Sequence, residues 1–176
     1  MRKEAVESRT KLKEAYVNML LSGKNPNVRE MCRIADVNKS TFYRNFPYLE
    51  DLEKELYYEE ARALADEAIK DVTYENITDE FIEKLLVFLR NISKKHRTLF
   101  FHNEKLAIDT VVDIIKEDLK KYTDSVNDEM LLVITVRGSL FLLLEKNYTR
   151  EEKIRFMTLL WRSYNKAIVN RVFDKM

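Results

Sequence analysis

The sequence predicts an all-α protein of about nine helices, and three observations predict it. Only two glycines and two prolines occur in 176 residues, too few to fold the chain back and forth as a sheet protein does. Apolar residues recur at three- and four-residue spacing instead of alternating. A composition of 45% hydrophobic and 35% charged residues supplies a core as well as the polar faces of amphipathic helices. Residues 1–47 read as three short helices and residues 48–176 as a body of longer ones, with no repeat, low-complexity segment or linker between.

Leu12, Ala15, Tyr16, Met19 and Leu20 form one stripe, so a first helix covers about residues 4–22, and Gly23 ends it. After the loop GKNPN, Asn27 is placed to cap a two-turn helix whose Val28, Met31, Cys32 and Ala35 face inward. The residues DVN make a turn, and Asn38 caps a third helix over about 39–46. Pro47 stops it, because the residue before a proline is pushed out of helical geometry. On a helical wheel Phe42 and Phe46 coincide, Ser40, Thr41 and Arg44 lie opposite, and Tyr43 and Asn45 take the flanks. The aromatic pair anchors the helix and the polar arc faces outward.

Further helices are expected over about 48–71 and over 79–96, the latter capped by Thr78, and a short segment TLFFH follows. Then come 104–122, 128–146 and 150–174, the last opened by a capping box of Thr149 and Glu152. The basic run KKHR at 94–97 reads as complementing a helix C-terminus.

Net charge is +1, but its distribution is uneven: ten Lys and Arg against five Asp and Glu give residues 1–47 a net +5, leaving −4 for the rest. One end is thus suited to a polyanion. The single cysteine, Cys32, has no internal disulfide partner, and the opening MRKEAVESRTKLKEAY lacks the apolar stretch of a signal peptide, so a cytoplasmic location is expected. The apolar run Met130–Leu144 is short of the about 20 residues of a membrane span and carries Arg137, so no membrane partner is expected. His96 and His102, six apart with no cysteine near, make no metal motif, and no cofactor is expected. The chain also lacks a Gly-rich phosphate loop, a nucleophile elbow and an HExxH helix, which argues against an enzyme.

A short helix, a tight turn and a second helix with an outward polar arc is the layout in which the second helix enters the major groove of duplex DNA. Arg44 suits a bidentate contact to guanine, Thr41 a base edge or thymine methyl, and Asn45 adenine, with Ser40 on the same arc. Lys39 and Tyr43 suit phosphate oxygens, and Arg29, in the first turn of the second helix, adds another phosphate contact.

The run NVREMCRIADVNKSTFYRNFPYLEDL resembles the N-terminal helix-turn-helix of the TetR family of bacterial transcriptional regulators, over roughly residues 9–53. The Thr-Phe-Tyr of residues 41–43 followed by Phe46-Pro47 is the most specific part. Asp36 stands where that family commonly has Gly, Asn27 replaces the usual Thr or Ser cap, and the basic residue common soon after Phe-Pro is absent. The resemblance implies a homodimer joined through the final two helices, each third helix reading a half-site, and a body that takes an inducer.

The body contains MLLVITVRGSLFLLLEK, apolar nearly all round, so this helix must be covered on most sides. Gly138 costs it about 1 kcal/mol relative to Ala, understandable if another backbone approaches closely there. Val136, Gly138 and Leu140, with Met157, Trp161 and Tyr164 of the last helix, are therefore the expected dimer interface. Tyr58, Phe88, Phe101 and His102 are the expected lining of a pocket for a small apolar or aromatic effector. The leading expectation is a homodimeric repressor that binds a palindromic DNA operator and is released by such an effector. A helical regulator working through protein contacts, with little DNA reading, is the alternative, supported only by the missing base after Pro47.

Overall fold

The computed structural model describes residues 3–68, 87, 91, 93–119, 126–145 and 147–173. Eight helices and no strand occur among them. They are α1 (Lys3–Leu21), α2 (Val28–Ile34), α3 (Lys39–Asn45), α4 (Leu49–Ala68), α5 (Lys94–His102), α6 (Glu104–Leu119), α7 (Val126–Leu144) and α8 (Arg150–Phe173). The helix expected over 79–96, with its cap Thr78, lies almost wholly outside the described residues.

Two compact units emerge from the packing. The first takes Met1–Glu60 and Ser93–Ala107, the second Ala61–Ile92 and Ile108–Met176. Residue 47 marks the end of the three short helices, but the first unit extends past it for a packing reason. Leu52, Leu56 and Tyr57 of α4 and Leu99 of α5 are buried in one core with Leu12, Tyr16 and Met19 of α1, Met31 of α2 and Phe42 of α3. The Tyr57 hydroxyl donates to the Leu99 carbonyl at 2.5 Å, and burial pushes its pKa upward.

Termini are closed as the residue types dictate. Gly23 ends α1 at φ 74°, where its N–H donates to the Leu20 carbonyl and that of Lys24 to Met19, both at 2.9 Å. This left-handed stop satisfies carbonyls that a helix end leaves unpaired. Asn103 accepts the Leu106 N–H on its side chain at 3.2 Å, opening α6, while its own N–H donates to Leu99 and closes α5.

The run KKHR corrects its expectation: it opens α5 instead of closing a helix. Ser93 is the N-cap, its hydroxyl accepting from the His96 N–H at 3.2 Å. Basic groups in a first turn oppose the helix dipole. Glu60 of α4 offsets that, meeting Lys95 Nζ at 2.5 Å and His96 Nε2 at 2.8 Å.

In the second unit Val112 of α6 and Val136 of α7 form a small core with Ile108, Val111, Ile115, Leu131, Leu140 and Trp161 packed against it. The predicted capping box opens α8: the Thr149 hydroxyl accepts the Glu152 N–H at 3.2 Å, and the Glu152 carboxylate accepts the Thr149 N–H at 2.7 Å. No helix among the described residues is long and apolar enough to cross a membrane.

Candidate nucleic-acid interface

The candidate site is built by α2, the turn and α3. Asn27, in extended geometry, caps α2 by accepting the Glu30 N–H at 3.0 Å. The helix ends after Ile34 because Asp36 takes the left-handed conformation at φ 51°. With that reversal, Val37 N–H reaches back to the Cys32 carbonyl at 3.0 Å and tightens the turn. Asp36 does here what glycine does with less strain.

Asn38 then caps α3. Its side-chain oxygen accepts the Thr41 N–H at 2.8 Å and the Ser40 hydroxyl at 2.6 Å. Phe42 and Phe46 are buried, at 0% and 1% exposure, with ring centroids 5.9 Å apart. Phe46 is already extended, at φ −139°, so α3 stops one residue earlier than the spacing predicts, just ahead of Pro47.

With one face sunk, the other is presented. Lys39, Ser40, Tyr43 and Arg44 are exposed, Thr41 is half-buried, and Arg44 Nη2 lies 3.3 Å from the Thr41 hydroxyl. Arg29 is exposed at the start of α2, whereas Arg33 is held by Glu30 at 2.7 Å. The Arg33 hydrogen bond keeps the Glu30 carboxyl below its ordinary value. α3 carries two cations and no acid, so the arc is electropositive and rich in hydrogen-bonding groups.

Asn45 differs from the rest of that set. Its amide nitrogen donates to the Ser8 hydroxyl of α1 at 2.9 Å and to the Thr41 carbonyl at 3.0 Å. Its carbonyl accepts from Arg9 Nη1 at 2.7 Å. Arg9 also donates to both carboxylate oxygens of Glu55 on α4, and its guanidinium carbon lies 4.2 Å from the centre of the Phe46 ring. Lys13 joins the same carboxylate at 2.7 Å and reaches Glu59 at 2.6 Å. Burial works against the Glu55 anion, but its bonds to Lys13 and Arg9 outweigh it and hold the pKa below the usual value.

No family model, curated protein or solved structure matches the chain. The fold and the chemistry of its surface therefore carry the functional argument.

The other expected sites are placed differently from one another. Tyr58 of α4 and Phe101 and His102 of α5 are all exposed on the first unit, and Phe88 lies outside the described residues. Among the described residues no cluster of His, Cys, Asp or Glu is arranged for a metal. Val136 and Met157 are buried among the chain's own helices, and Leu140 and Trp161 are half-buried, packed on the α6–α7 core. At Gly138 the near neighbour is the chain's own Leu160, whose Cδ1 would lie 3.2 Å from an added Cβ. Tyr164 falls within α8, but its side chain is outside the described residues. Apolar residues left open on α7 and α8 are others: Met130, Ile134 and Phe141, and Phe156 and Leu159. Of these, the sequence pattern singles out Phe156 alone, as an apolar residue of the last helix; it does not single out the others, nor Ser8, Arg9 and Glu55.

Proposed function

We propose that this chain is a TetR-like transcription regulator, a homodimeric repressor that reads a palindromic operator in duplex DNA through α3 and is released by a small-molecule effector. One observation carries the DNA reading. A capped seven-residue helix is pinned by two buried phenylalanines so that Lys39, Ser40, Tyr43 and Arg44 face solvent together, following a tight turn from α2. Arg44 and Thr41 take the base edges, and Lys39, Tyr43 and Arg29 take phosphates.

The missing base after Pro47 is what favours the protein-contact alternative, and Asp51, which stands in that stretch, has a structural use: its carboxylate accepts the Tyr48 N–H at 3.1 Å. This is the reciprocal half of a capping box at the start of α4. For the dimer, Met130, Ile134 and Phe141 share one face of α7 and supply, with Phe156 and Leu159, an apolar surface for a second copy. Effector release rests on the resemblance alone.

The test is fluorescence anisotropy of the protein on duplexes it selects from a random library, at several salt concentrations, with Arg44→Ala alongside. Loss of preference for the selected duplex in a folded Arg44→Ala variant is the expected result. An unchanged preference refutes the role of Arg44, and failure of the wild type to select any duplex refutes DNA reading.

A further inference from the structure

α3 has only seven residues, so it cannot fix its own orientation, and its buried anchors, Phe42 within it and Phe46 just past its end, hold it along one edge. Rotation or tilt about that anchored edge has to be stopped by contacts elsewhere. The contacts are supplied at Asn45, the last residue of α3, by two consecutive residues of α1. Ser8 takes the Asn45 side chain and Arg9 takes its carbonyl, an acceptor that a helix end otherwise leaves unpaired.

We propose that Arg9 is a positioning residue for DNA reading, setting the orientation of α3 without touching a base, and that Asn45 belongs to this clamp and not to the reading set. The proposal rests on the DNA-binding reading of α3. Each part of the Arg9 group is committed: Nη1 to Asn45, Nε and Nη2 to the two oxygens of Glu55, and its plane against Phe46. A planar fork with fixed donors can join three elements in this way, and an ammonium group cannot. Glu55 is held in turn by Lys13, so the fork is set before any ligand arrives. Base-edge bonds are directional and phosphate attraction is not. A slack α3 therefore loses discrimination before it loses general affinity.

Arg9→Lys, which keeps the charge, and Ser8→Ala, which removes the acceptor for Asn45, test this, each first shown to be folded by circular dichroism. Two quantities are read: the amide NMR resonances of α3 in the free protein, and the ratio of affinities for a duplex selected by the wild type and its scrambled counterpart. Arg9→Lys is expected to shift the resonances of residues 41–46 and to cut the ratio about tenfold, the scale of one directional base contact. The scrambled-duplex affinity and its salt slope should hold, and Ser8→Ala should move both readouts the same way by less. The proposal is overturned if a folded Arg9→Lys leaves α3 resonances and ratio unchanged, or if both affinities fall together. Should Arg9→Lys not fold, Ser8→Ala decides on the same criteria. If the wild type selects no duplex, the DNA reading fails, and the resonances alone decide whether Arg9 orients α3.

Discussion

Asn38 is a sensitive single point in the candidate interface, because one oxygen holds both the Thr41 N–H and the Ser40 hydroxyl. Replacing it with Ala removes the cap of a helix under two turns long, a loss of about 1 kcal/mol. That corresponds to a roughly fivefold change in an equilibrium constant. Amide hydrogen exchange at Thr41 reports it locally, since its N–H loses the side-chain acceptor and keeps only the Asn38 carbonyl at 3.1 Å, and should quicken about fivefold if the cap is worth about 1 kcal/mol. Asn38→Asp keeps an acceptor in place and should leave Thr41 exchange near the wild-type rate. In DNA titrations the same Asp variant should bind more weakly, since it brings an anion beside the groups assigned to phosphates. Thr41 exchange as fast in Asp as in Ala, or unchanged in both, would refute the capping argument.

Three other perturbations follow from single features. Asp36→Gly relieves a left-handed residue at φ 51° and should raise stability by roughly 0.5 to 1 kcal/mol in urea denaturation, with a loss counting against strain at the turn. Gly138→Ala gains about 1 kcal/mol of helix propensity against a contact with the end of the half-buried Leu160 side chain, so the variant should be no less stable than wild type. A drop beyond about 1 kcal/mol would mean that Leu160 cannot give way, the loss then being of the size of overpacking. Glu55 has a folded pKa below its ordinary 4.5, so its stabilising contribution is complete above that pH and is lost as pH falls through the lower folded value. Glu55→Gln should therefore flatten the acid limb of the stability profile below about pH 4.5, and an unchanged limb would remove Glu55 from the account.

The local parts of this structure were legible in the sequence and the long-range parts were not. Asn27, Asn38 and the Thr149–Glu152 box work as read, because capping involves residues three positions apart. The Phe42–Phe46 anchor was legible for the same reason. Arg9 meets Asn45 and Glu55 across 36 and 46 residues, which no helical period encodes. Ser93 was missed because KKHR suits a helix end by charge, and only Glu60, 35 residues earlier, makes it suit a beginning. α7 is apolar nearly all round, so its pattern could not say that Val136 turns inward while Ile134 stays open.

The discontinuity of the first unit bears on how the chain is made. During synthesis, the element that presents α3 emerges early, yet Tyr57 gains its hydrogen-bond partner only when Leu99 has left the ribosome. At cellular elongation rates that interval is on the order of seconds. A nascent chain ending near residue 60 holds α3 on an open core, with Tyr57 still lacking its partner on α5. Excising the first 60 residues as a fragment that carries α3 would reproduce that unfinished state, whereas joining them to residues 93–107 by a short linker would complete it.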